Sequence, residues 1–134
     1  MNEHSFIRSF HKRLDPRIGV WKIHDPFQGG VPDTLLFGLN GLATFVEYKY
    51  IHFLPKRNKT RIKPSLTEQQ RLWINDKITR GLSAVVILGS QDGVVIFTTP
   101  DQWTDGIPRQ DADIYTSKQA AALINARLIS IGAS

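Results

Sequence analysis

Cysteine is absent from the 134-residue chain. That excludes a disulfide framework and a thiolate metal centre, so any metal must be held by oxygen or imidazole, which favours hard cations. A long hydrophobic run is also missing: no stretch approaches the about 20 apolar residues that cross a bilayer. The N-terminus, MNEHSFIRSFHKRL, lacks the continuous apolar segment of a secretory signal, so the expected location is the cytoplasm and no membrane partner is expected. There is no repeat, no low-complexity tract, no phosphate-binding Walker loop, no Rossmann fingerprint and no nucleophile elbow. The four histidines, His4, His11, His24 and His52, show no metal-type spacing.

What is present is the composition of a folded chain. Hydrophobic residues make up 41%, and they fall in short clusters punctuated by glycine, proline and polar residues. The length suits one core, so a single domain over 1–134 is expected. Charge is uneven. Residues 1–80 carry 14 Lys/Arg against 7 Asp/Glu, whereas residues 81–134 carry 3 against 5. An anionic partner would meet the basic end. Its densest part is Lys56, Arg57, Lys59, Arg61 and Lys63, in a proline-bounded segment that reads as an exposed, flexible loop.

The periodicity predicts a first helix with Phe6, Ile7, Phe10 and Leu14 on one stripe, Asn2 as N-cap and Pro16 as stop. A weak strand follows over 18–24. Strands over 34–38 and 43–51 are separated by Asn40-Gly41, a hairpin signal that makes them antiparallel neighbours. Thr67 and Gln70 fit a capping box opening a second helix that ends at Gly81. Residues 84–88, apolar throughout and rich in β-branched side chains, read as a strand covered on both faces. Asp92-Gly93 turns into a strand over 94–97, and after a Pro100-initiated turn and a polar connection a last helix is expected at 117–128. This order implies an α/β sandwich. The step from strand 43–51 through the helix to strand 84–88 is a crossover, which places strand 43–51 centrally.

Glu47 and Lys49 lie two residues apart on that central strand, so both project from one face while Tyr48 points the other way. Buried charges must be paired or bound to an ion; the bland alternative is a salt bridge on a solvated sheet face. Asp33 ends the loop that approaches the hairpin, with thirteen residues between it and Glu47. Two carboxylates from adjacent strands, helped by a backbone carbonyl such as that of Tyr48, make an oxygen-only site suited to Mg²⁺ or Mn²⁺. Such a cation would acidify water and offset charge on a phosphate. Gln70 shares a helix face with Ile74 and Ile78; a capping role explains it, and an amide facing a ligand is the other reading.

The wider pattern is Gly30-Val31-Pro32-Asp33, then Glu47-Tyr48-Lys49, then Leu66-Thr67 to Gln70. It resembles the PD-(D/E)xK nuclease superfamily, and most closely its virus-type replication-repair branch, the VRR-NUC family, over about residues 3–98. The resemblance implies a restriction-endonuclease-like αβββαβ core with a mixed central sheet flanked by helices, followed by a C-terminal turn and helix over 99–134. It implies a DNA endonuclease acting on junction, flap or branched DNA. Asp33, Glu47, Tyr48 and Glu3 would serve the metal, Glu3 being the acid supplied by the first helix. Lys49 would assist attack, with Gln70 beside it. For Glu3, the helix macrodipole alone also favours an acid in the first turn. Lys56, Arg57, Lys59, Arg61 and Lys63 would grip phosphates without reading bases. Cutting a junction requires two sites, so a homodimer is the assembly that substrate implies. The rival readings are a nuclease-like fold that binds nucleic acid or a partner without cleaving, and an interaction protein whose Glu47-Lys49 pair is only a surface ion pair.

Overall fold

Apolar residues spaced for one helical stripe open the chain, and the computed structural model, which describes residues 1–129, shows what they cover. Helix α1 (Glu3–Lys12) buries Phe6 and Phe10 and is capped by Asn2, whose side chain accepts from the Ser5 amide. Strand β1 (Gly19–Lys22) lies at a sheet edge, followed by β2 (Thr34–Phe37) and β3 (Ala43–Tyr50). The β2–β3 turn places Asn40 at φ 58° and Gly41 at φ 76°. Both angles are positive, as the Asn-Gly pair requires of a tight hairpin. A two-residue strand β4 (Arg61–Ile62) precedes helix α2 (Glu68–Thr79), which is opened by the reciprocal Thr67–Gln70 capping box. Then come β5 (Ala84–Ser90), β6 (Gly93–Phe97), the short helix α3 (Pro100–Asp105), the two-residue β7 (Ile107–Pro108), a 3₁₀ turn at Arg109–Asp111 and helix α4 (Ser117–Leu128).

The main sheet has the order β1-β2-β3-β5-β6. Its neighbours are antiparallel except β3 and β5, which run parallel and are joined across α2, so β3 is central as expected. Alternation along each strand sorts side chains into two cores. On one face Val46, Tyr48, Val85 and Ile87 meet Phe6, Phe10, Ala121, Ile124 and Leu128 of α1 and α4. On the other, Val86, Leu88 and Phe97 meet Ile74 of α2, Trp103 of α3 and Ile62 of β4. Gly89 of β5 admits α1: a Cβ there would stand 2.7 Å from the Phe6 ring. The layers are therefore helix, sheet, helix. No helix among the described residues is long and apolar enough to cross a membrane.

Two readings of the sequence need correction. The basic segment is not a free loop. Arg61 and Ile62 pair with Pro108 and Ile107, the Thr60 and Asn58 carbonyls accept from the Arg109 and Gln110 amides, each at 2.9 Å, and the Arg61 guanidinium donates to the Gly106 carbonyl at 3.2 Å. Ile62 is fully buried and anchors the ribbon. The polar connection after Thr99 is thus the clamp on the basic segment. Second, the Pro100 turn is a capped helix: Thr99 accepts from the Gln102 amide and Pro100 occupies the first turn, where a missing N–H costs nothing. The last five positions of the expected 1–134 domain lie outside the described residues.

Candidate active site

The site forms where β2 and β3 part company. The β2–β3 register sets Leu36 opposite Thr44 and Thr34 opposite Val46, and the Gly38 amide donates to the Leu42 carbonyl at 2.8 Å in the same phase. Continuing it brings Asp33 opposite Glu47 and Pro32 opposite Tyr48. The next exchange of ladder hydrogen bonds would join positions 32 and 48, but proline has no N–H to donate. Tyr48's carbonyl therefore receives no ladder bond from that position. Its amide is taken instead by the Asp33 carboxylate, Oδ2, at 3.2 Å. On the far side, the Phe45 and Ile51 amides donate to the Ser83 and Gly89 carbonyls. Alternation then points both the amide and the carbonyl of Tyr48 away from β5, toward the gap beside Asp33.

Glu47 faces α2, on the opposite side of the sheet from Tyr48, and is 2% exposed. Its Oε2 accepts from the Asp33 amide at 3.1 Å and its Oε1 from the Gln70 side-chain amide at 2.8 Å, with the Lys49 ammonium 3.7 Å from Oε1. Burial, and then the nearby Asp33 charge, push the Glu47 carboxyl up to about 8; Lys49 and the Asp33 amide oppose that rise without cancelling it. With no metal ion beside it, Glu47 therefore holds its proton to higher pH than an ordinary carboxyl. A buried carboxyl beside a second carboxylate, with a backbone carbonyl aimed at the same gap, is a donor set made wholly of oxygen. It suits a hard divalent cation, whose charge would take the place of that proton.

Gln70 fills the capping role and also reaches the buried carboxyl. Its carbonyl oxygen accepts from the Thr67 amide at 2.9 Å to complete the capping box, while its NH₂ donates to Glu47. Gly30 explains the glycine of the Gly-Val-Pro-Asp run. It adopts φ 83°, and a Cβ there would collide with the backbone carbonyl of Gln69. The loop thus passes flush against the first turn of α2, fixing Asp33 relative to Gln70.

Glu3 does not join this group. It is exposed in the first turn of α1, and among the described residues no three His, Cys, Asp or Glu side chains converge as a metal cluster. Glu3 shares the stripe with Phe6 and Phe10, which face the sheet. The flank that α1 turns toward Asp33 carries His4, Ile7, Arg8 and His11 instead. His11, to which the sequence assigned no role, hydrogen-bonds the buried Tyr48 hydroxyl at 2.7 Å through Nε2. Burial and Lys22 lower its proton affinity, and burial raises the Tyr48 phenol. No sequence spacing announces a contact between residues 11 and 48. Lys56, Arg57, Lys59, Arg61 and Lys63 are all exposed on the clamped segment, and none contacts the carboxylate pair.

The architecture is a restriction-endonuclease-like fold: a mixed five-stranded sheet between helices. Among solved structures, the chain is similar to Hjc of Archaeoglobus fulgidus, a Holliday junction resolvase from an archaeal hyperthermophile. The two share 13% identity at a TM-score of 0.51, over 90% of this chain and 96% of that one. At that identity the likeness establishes a common fold. No protein-family model and no curated protein matches the sequence.

Proposed function

We propose that the chain is a Mg²⁺- or Mn²⁺-dependent deoxyribonuclease that hydrolyses phosphodiester bonds, with a branched, flapped or junction DNA as substrate. The motif pattern most resembles that of the VRR-NUC branch of the PD-(D/E)xK superfamily, and we take that branch as the chain's place. The observation that carries the reading is the meeting of Asp33 and Glu47 at the strand divergence, with Lys49 and Gln70 on the same carboxylate.

Asp33, Glu47 and the Tyr48 carbonyl would hold the cation, which when bound acidifies water and neutralises charge developing on the phosphate. Gln70 and the Asp33 amide orient the two oxygens of Glu47, so the carboxylate is set before substrate arrives. Lys49, half-buried with its ammonium 3.7 Å from Glu47 Oε1, directs that ammonium to the attacking water or to a phosphate oxygen. Water oxygen bonds to phosphorus as the bond to the leaving sugar oxygen breaks; the attacking water gives up a proton to solvent, and the leaving oxygen takes one up from solvent to depart as the alcohol. The basic segment, clamped rather than flexible, offers Lys56, Arg57, Lys59, Arg61 and Lys63 as a fixed row of phosphate contacts. The structural neighbour is named as a junction resolvase, which supports structure over sequence as the feature recognised, and a homodimer as the assembly that cuts a junction.

The test is incubation with linear, single-stranded, flapped and four-way DNA, with and without Mn²⁺, beside Asp33→Ala. Cleavage that needs Mn²⁺ and vanishes in Asp33→Ala, with DNA affinity largely kept, is the expected result. A second reading, binding without cleavage, is favoured by the absence of a third acid at the pair among the described residues. It predicts no cutting of any substrate and binding unchanged by EDTA or by Asp33→Ala.

A further inference from the structure

Beside Asp33, and separate from the basic segment, α1 and β1 enclose a cleft of about 630 Å³. Its walls carry Arg8, Lys12 and Lys22 as cations, His4 and His11 as imidazoles, and the half-buried Ile7 and Ile23 as apolar surface. Asp33 is the one acid lining it. Ion pairs among the described residues join Arg17 to Asp15, Lys49 to Glu47, and Lys77 and Arg80 to Asp76. Arg8, Lys12 and Lys22 belong to none of them. Three cations thus line one concavity, against a single acid and with no ion pair among them.

The cleft is also shaped. Arg8 Nη2 lies 2.8 Å from His4 Nε2, one helical turn away, and His11 is tied to the Tyr48 hydroxyl, so the α1 wall is set before any ligand binds. Cations with apolar side chains beside them suit a chain that carries phosphates between sugars. From these features we infer that the α1–β1 cleft seats the sugar-phosphate backbone of a nucleic-acid strand immediately next to the phosphodiester presented to Asp33. The inference rests on the nuclease reading for its orientation. It adds a second phosphate track to that of Lys56–Lys63, reached from a different part of the chain, and gives α1 a role in holding the strand rather than in supplying a metal ligand.

The test uses the full chain carrying Asp33→Asn, so that binding is read without turnover. The probe is a fluorescein-labelled flapped duplex, titrated by anisotropy over a range of NaCl concentrations. Adding Arg8→Gln, Lys12→Gln and Lys22→Gln together removes three exposed cations and should leave the melting temperature unchanged. Affinity should fall about tenfold or more at moderate salt, and the slope of log K against log salt should become shallower by about 2 to 3, one increment for each phosphate no longer neutralised. A control with Arg80→Gln, Lys118→Gln and Arg127→Gln removes the same charge from α2 and α4 and should change the slope little. Equal slopes for the cleft variant and its parent, or an equal loss in the control, overturn the inference. So does a parent that binds no DNA at any salt. Failure of the nuclease reading shows separately, as absence of Mn²⁺-dependent cleavage by the unsubstituted chain.

Discussion

Glu47→Gln isolates the electrostatic premise of the site. The folded chain holds the Glu47 proton up to about pH 8, whereas the unfolded chain releases it near the ordinary 4.5. Between those values the folded state binds the extra proton, so this residue's contribution to stability is fully present below 4.5 and is lost progressively as pH rises to 8. The interval corresponds to about 5 kcal/mol for the unsubstituted, metal-free chain, since each pH unit is worth a little more than about 1 kcal/mol. That is comparable with the whole stability of many domains. Glutamine keeps the shape and cannot ionise. At low pH it should cost about 1 kcal/mol, because one of the two amides that Glu47 accepts from meets a donor instead. The assay is urea unfolding of both proteins in EDTA at several pH values from about 4.5 to about 8.5, bracketing the window, reading the difference between them so that other titrating groups cancel. Stability of Glu47→Gln relative to the parent should climb by several kcal/mol across the window, and saturating Mg²⁺ should restore the parent selectively at high pH. A difference that stays constant with pH refutes the claim that burial and Asp33 hold a proton on Glu47.

Other perturbations follow from named interactions. Gln70→Ala removes a cap and the Glu47 partner together and should destabilise by about 2 kcal/mol while abolishing most cleavage; Thr67→Ala, which breaks only the cap, should cost about 1 kcal/mol in thermal unfolding and spare much of the activity. Gly30→Ala should lose about 1 to 3 kcal/mol or more, visible in the melting temperature, because its φ is positive and Gln69 occupies the space. Neutralising Lys56, Arg57 and Lys59 together should weaken binding alike for all DNA sequences and lower the salt slope by about 0.9 for each duplex phosphate left without its cation.

The clamp on the basic segment alters what those cations can do. A flexible loop loses conformational entropy on every binding event, whereas the β4–β7 ribbon has met that cost on folding. It also explains why the chain continues past Phe97 and the main sheet. Residues 107–110 are tied to the basic segment by backbone hydrogen bonds, and Trp103 of α3 is buried beneath, its indole N–H donating to Asn75 at 2.9 Å.

Local patterns in the chain were enough to place most elements, because capping residues, turn dipeptides and apolar periodicity act over a few positions. The α2 capping box, the Asn40-Gly41 turn, the crossover from β3 to β5 and the span of α4 at Ser117–Leu128 all follow from such signals. The pairing of Asp33 with Glu47 was legible too, since strand alternation and a short hairpin leave few ways to arrange them. Tertiary structure alone decided the rest. Glu3 lies on the right helix yet stays exposed in its first turn and joins no metal-type cluster among the described residues, because the rotation of α1 is set by burying Phe6 and Phe10, with Phe6 against Gly89. The β4–β7 ribbon joins residues more than forty positions apart in two-residue strands too short to leave a period. The cleft joins Arg8 and Lys12 to Lys22 and Asp33, and a partnership between separate elements has no signature along the chain: it exists only once the sheet and α1 have packed.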